Sequence, residues 1–422
     1  MPKLTKELRL LHQVEKGNLK GAFEMLEAGA NADGSSEAAA SPLFLAANRG
    51  RLDILQLLID NGADLDAPSS LDKFADGFSG VTLLCAQGLT PLHGAIKGEN
   101  LDALRILLVA GADPNLADNK GSTPLMMTCL HYIHAKNFVL RAVRELFDAG
   151  ADPRGTGIRG ETALHFAANF NAPDLLGLLL ARAPSTVNAP NEEGVTALCY
   201  AAAEGKEVAV SCLLSAGAYD DPFLFGKGIG SLIMAAELGH EKVVRVLLDR
   251  GVQAVGGELA MSYALRRAVH NRFRTILQML LDVEGEQKRM KWARLRHTDG
   301  NPVLHYAAAC ESLVAASILI SAGADEGTTN GFGRHASVCV GAALPAEKRN
   351  PANTAAMCRL LERGPTFRAL SWAWAAEPSE TPAASGTVCS MNRATAALDV
   401  RIFRPTGNLC FSTRFSRYCK RS

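Results

Sequence analysis

The fold class predicted by this sequence is an all-α solenoid of stacked helix-turn-helix units, and three observations carry it. A seven-residue motif returns at a nearly fixed interval, an amphipathic stripe follows each return, and a Gly-centred turn closes each stripe. Composition agrees with that reading. The 422 residues include 66 Ala and 56 Leu, with 38 Gly and only 6% aromatic residues. Helix formers, frequent turns and small side chains suit short helices in close contact, not a β-sandwich or an aromatic core.

The motif copies run in order along the chain. SPLFLAA begins at Ser41, TPLHGAI at Thr90, TPLMMTC at Thr123, TALHFAA at Thr162, TALCYAA at Thr196, GSLIMAA at Gly230 and PVLHYAA at Pro302. From Thr90 to Gly230 the starts are 33, 39, 34 and 34 residues apart, a repeat period. The longer gap before Pro302 holds a degenerate unit near Tyr263 (YALRRAV), and weaker units near Leu8 and His335 bring the count to about ten. Each leading Thr or Ser can cap a first helix by accepting from an early backbone N–H. Pro42, Pro91 and Pro124 sit where a missing N–H costs nothing. Ala pairs such as Ala167-Ala168 keep one helix face thin. A second stripe, as in LDILQLLIDNGADLDA, has i, i+3, i+4 spacing, and Gly62, Gly111, Gly150, Gly217 and Gly323 fall where a left-handed residue ends it.

These motifs resemble the ankyrin repeat over roughly residues 5–365. The resemblance implies helix pairs joined by β-hairpin fingers, and partner binding on a concave surface built from finger tips and the exposed ends of first helices. Transferred to this chain, that surface comprises the helix-end residues Arg49, Lys97, His131, Asn169, Phe170, Glu204, Leu238 and Asn271. The tips add Asn119, Lys120, Arg159, Glu192, Glu193 and Phe225. Phe170 and Phe225 are expected to be exposed anchors, because aromatic residues and Arg dominate interface energetics.

Domain organisation follows from the repeat. Residues 1–374 form the solenoid, with an N-terminal capping repeat over ~5–35, an insertion at 68–87, a basic repeat at 263–297 and a degenerate last repeat at ~331–365. Residues 375–422 hold two Leu and many Ser, Thr and Arg, and read as a disordered tail. The net charge of +1 conceals polarity, since residues 263–297 hold nine Lys or Arg against three acids. The charged start MPKLTKELRL and the absence of a long apolar run predict an intracellular protein, cytoplasmic or nuclear, with no signal peptide or membrane span.

Patterns that suggest chemistry lose it once placed on the repeat. Gly155 to Gly160 spells GxGxxG, yet falls in a finger and not between a strand and a helix. His131 and His134, near Cys129, share a helical face but have no further ligand close in sequence. His93, His165 and His305 occupy the fourth motif position, where the resemblance implies hydrogen bonding within and between repeats. No catalytic residue, cofactor or metal is predicted. The expected function is a monomeric, non-catalytic scaffold or adaptor for one or more proteins. The alternative is a substrate-recognition subunit of an enzyme complex such as a ubiquitin ligase. Nucleic-acid or anionic-lipid binding through residues 263–297 ranks below both.

Overall fold

The computed structural model describes residues 5–34, 41–69, 74–75, 82–83, 88–219, 230–251, 256–283 and 285–362. Two compact units divide the chain: Met1–Glu192 with Cys212–Ala218, and Glu193–Ser211 with Tyr219 onward.

The first unit is built from helix pairs in the predicted order. They are α1 (Lys6–Lys16) and α2 (Leu19–Glu27), α3 (Pro42–Arg49) and α4 (Leu52–Asp60), and α5 (Pro91–Lys97) and α6 (Leu101–Ala110). Then follow α7 (Pro124–Leu130) and α8 (Tyr132–Asp148), and α9 (Ala163–Ala168) and α10 (Pro173–Arg182). The caps are those the motif foretells: Phe44 N donates to Ser41 Oγ at 3.1 Å and Met126 N to Thr123 Oγ1 at 3.4 Å. Leu43, Leu92, Leu125 and Leu164, one per motif, are buried, as are Ile54, Leu55 and Leu58 of α4 and Leu104 and Leu107 of α6. Each stripe covers the next, which is how a stack of short helices buries what one pair cannot.

The 39-residue interval that starts at Thr123 is taken up by a long second helix, α8, of 17 residues. A first turn over Tyr132–His134 ends at Ala135, whose φ of −133° and ψ of 47° break the helix before it resumes. The insertion after Ala67 is closed at its neck, where Ser69 N donates to Leu89 O and Gly88 N to Ser69 O. Within it, two-residue strands Phe74–Ala75 and Thr82–Leu83 pair antiparallel, while Phe78 and Leu84 lie outside the described residues.

The second unit contains α11 (Ala197–Ala203), the start of α12 (Glu207–Ser215), and the pair α13 (Ser231–Leu238) and α14 (Glu241–Asp249). It continues with α15 (Gly257–His270) and α16 (Arg274–Asp282), α17 (Glu286–Ala293), α18 (Val303–Ala309) and α19 (Leu313–Ser321), and α20 (Pro351–Glu362). The basic segment after Asp282 thus carries a helix, α17, which buries Trp292 at 2% exposure. In the last repeat a 3-10 turn, Ala336–Cys339, replaces the first helix. Its second helix is held by the buried Glu311 carboxylate, which accepts from Asn350 N and Thr354 Oγ1. The tail 375–422 lies outside the described residues.

Candidate partner-binding faces

Four of the described fingers are tight turns closed by a backbone bond from residue i to residue i+4. Asp118 N donates to Ser122 O, Gly157 N to Glu161 O, His297 N to Asn301 O and Asn330 N to Arg334 O, all at 2.8–3.0 Å. In the first unit neighbouring tips touch. A methyl group on Gly121, whose φ is +69°, would come within 2.5 Å of Ile158 N, and Glu192 N donates to Arg159 O at 2.9 Å. Asn119, Lys120, Arg159 and Glu192 therefore lie on adjoining turns, with the exposed Ile158 among them at 62%. The GxGxxG run is this finger, a turn with no strand before it. Glu193 belongs to the second unit, and Phe225 lies outside the described residues.

The ends of the first helices are more heavily used by the fold than the sequence suggests. Arg49 pairs with Glu15 at 3.4 Å. Asn271 donates to Glu237 O at 2.7 Å, a bond between successive repeats. His131 faces Glu99 at 3.7 Å; burial lowers its pKa while the carboxylate opposes that shift. Cys129 points into the core, where burial pushes its thiol up to about 12, so it does not join His131 and His134. Among the described residues no three His, Cys, Asp or Glu side chains are grouped to hold a metal. Lys97, Asn169, Glu204 and Leu238 are partly or fully solvent-facing at their helix ends.

Phe170 corrects an expectation. It is buried, at 8% exposure, not an exposed anchor. The added turn of α8 covers it: Tyr132 stacks on its ring at 6.3 Å and 24°, and the Tyr132 hydroxyl donates to Asp174 Oδ1 at 2.6 Å. Lys136 reaches the other oxygen of Asp174 at 2.8 Å.

The His residues of the motif behave as the resemblance implies. Thr90 N and Oγ1 lie 3.2 and 2.9 Å from Nδ1 of His93, whose Nε2 is 3.0 Å from Ser122 O in the next finger. One neutral tautomer satisfies all three, accepting at Nδ1 and donating at Nε2, and burial lowers the pKa to match. His305 keeps the Nε2 bond, to Arg334 O at 2.9 Å, but Pro302 replaces the capping Thr and its buried Nδ1 has no partner among the described residues.

One column escaped the sequence reading: the residue directly after the fourth motif position. On helices otherwise buried, Met127 and Phe166 in the first unit and Tyr200 and Met234 in the second are half-buried large side chains. The signal was present, because the same motif register that identifies the His residues names their successors.

The basic repeat is not a uniform positive surface. Arg267 pairs with Glu237 at 3.4 Å, Arg289 with Asp282 at 3.2 Å, and Lys291 with Glu258. Arg294 and Arg296 are bonded to the carbonyls of Gly323 and of Gly300 and Thr329. Among the described residues no helix is long and apolar enough to cross a membrane.

Comparison with known proteins gives a consistent result. A family model described as ankyrin repeats in three copies matches residues 10–118, 92–190, 130–222 and 164–257, more than half of the chain. The chain is 31% identical over 202 residues to the B-cell lymphoma 3 protein homolog of Mus musculus, covering 45% of this chain and 44% of that one. It is 28% identical over 322 residues to the E3 ubiquitin-protein ligase KEG of Arabidopsis thaliana, covering 67% and 18%. It is 30% identical over 158 residues to the nuclear factor NF-kappa-B p105 subunit of Gallus gallus, covering 37% and 14%. These alignments span less than half of each relative's own length.

Proposed function

The chain belongs to the ankyrin-repeat family, and from that premise we propose that it is a non-catalytic scaffold that binds another protein across the finger tips and first helices. The observation that carries this reading is the ordered array in the first unit. Half-buried Met127 and Phe166 stand on successive first helices, and Ile158 is exposed on adjoining tips that carry Lys120, Arg159 and Glu192. Apolar side chains held in fixed register within a charged rim match the anatomy of an interface. Each is anchored on a rigid helix or a closed turn, so little ordering entropy opposes binding.

The test is cross-linking capture with the full chain and with an Ile158→Asp, Phe166→Ser variant whose fold is verified by circular dichroism. Loss of a cross-linked protein from the variant supports this face. An unchanged set of partners refutes it. The match of 322 residues to a ubiquitin-protein ligase favours one second reading, that the captured protein is a substrate brought to a ligase. Ubiquitin transfer to that protein, stimulated by this chain in a reconstituted mixture, would distinguish it from a plain scaffold.

A further inference from the structure

The fourth position of the repeat motif is filled by Phe44, His93, Met126, His165, Cys199, Ile233 and His305, all of them buried. In α15 the same position is Arg266, which is only half-buried. A guanidinium cannot enter the dry seam between helices without a counter-charge. Its side chain instead lies over the ring of Tyr306, with Cζ 5.1 Å from the centroid, and Nη1 is 3.5 Å from Nε2 of His297.

The nearby carboxylate is already engaged. The Tyr306 hydroxyl donates to Asp299 Oδ2 at 2.5 Å, His297 Nδ1 is 3.5 Å from Oδ1, and Asn301 N donates to Oδ1 at 3.0 Å. Burial opposes ionisation of Asp299, but these bonds outweigh it and hold its pKa well below the usual carboxylate range. Tyr263 packs on His297 at 4.2 Å and Tyr306 meets its edge at 5.8 Å, so the imidazole is fixed on both sides. The result is a guanidinium held over an aromatic ring and beside an imidazole. No ion pair forms at Arg266 among the described residues.

We propose that Arg266 anchors a side-chain carboxylate of an acidic linear segment in a protein partner. The proposal rests on the scaffold reading and names the chemistry of its ligand in the second unit. A guanidinium presents a planar fork of donors that matches a carboxylate, and the contacts with Tyr306 and His297 lower the cost of orienting it. A nucleic-acid strand fits less well. It needs a track of cations at phosphate spacing, whereas Glu237, Asp282 and Glu258 neutralise Arg267, Arg289 and Lys291.

The experiment is fluorescence anisotropy with the full chain and three labelled probes: a dodecapeptide of Glu-Asp-Glu-Leu repeats, its Gln-Asn-Gln-Leu counterpart, and a twelve-residue oligothymidine. Variants are Arg266→Gln, Arg266→Lys and a charge control in the first unit, Lys20→Glu, each checked by thermal melting. The acidic peptide is expected to bind and the neutral one not. Arg266→Gln should weaken the acidic peptide roughly tenfold or more, Arg266→Lys by less, and Lys20→Glu hardly at all. Absence of acidic-peptide binding, an equal loss with Lys20→Glu, or a larger effect of Arg266→Gln on oligothymidine than on the peptide would overturn the proposal. If Arg266→Gln leaves the peptide affinity unchanged while the Ile158, Phe166 variant still loses its partners, the anchor fails and the scaffold reading stands.

Discussion

His93 in α5 and Arg266 in α15 occupy the same position of the same motif and meet opposite fates. His93 is fully buried and spends both ring nitrogens, one on the cap of its own helix and one on the next finger. Arg266 keeps the register but leaves the seam, and lies on Tyr306 instead. The difference shows that the repeat dictates where a side chain starts and not where it ends. A neutral, two-faced imidazole closes the joint between repeats, while a permanent charge opens it toward solvent.

Exchanging the two residues tests this directly. His93→Arg should cost about 3–5 kcal/mol, because it buries an unpaired charge and strands the Thr90 and Ser122 groups. Urea denaturation measures it, and a loss near zero would show that the α5 seam is as open as that of α15.

Acid should separate the two sites next. The pKa of His93 is lowered in the folded chain from its ordinary value of 6.5, chiefly by burial, so the unfolded chain takes up the proton first as pH falls. The His93 contribution is thus present above pH 6.5 and lost as pH falls below it. His131, His270 and His305 shift in the same direction for the same leading reason. The urea midpoint should drop between about pH 7.5 and 5.5, and drop less in His93→Gln. Equal slopes would remove His93 from the account. Arg266→His should be the mildest change, within about 0.5 kcal/mol, because the Arg contributes little to the core. A loss as large as that of His93→Arg would mean the Tyr306 cluster supports the fold.

Much of this was legible in the sequence. The period placed the helix pairs, Ser41 and Thr123 cap as their position requires, and Gly62, Gly111 and Gly150 take the left-handed backbone expected after a second helix. Phe170 was misread because its cover, Tyr132, lies in residues outside the period, and a repeat pattern says nothing of what an insertion folds against. The basic run was legible as composition only. Its pairings to Glu237, Glu258 and Asp282 join residues up to 33 positions apart, a distance set by stacking and not by any local pattern. Met127, Phe166, Tyr200 and Met234 stood in plain register but resemble core residues, and only their partial exposure distinguishes them.

The helix after Asp282 has a consequence for how such a chain diversifies. By burying Trp292, it brings its own anchorage to a connection that at the fingers of Gly121 and Ile158 is a bare turn. A lineage can lengthen its stack at such a connection without moving the flanking helices, and vary the outward residues of the addition freely. The tips at Gly121 and Ile158 have no such latitude, since a single methyl group on one would displace the other. Added residues in this architecture are therefore expected to be tolerated where an addition supplies its own footing, and not where neighbours share theirs.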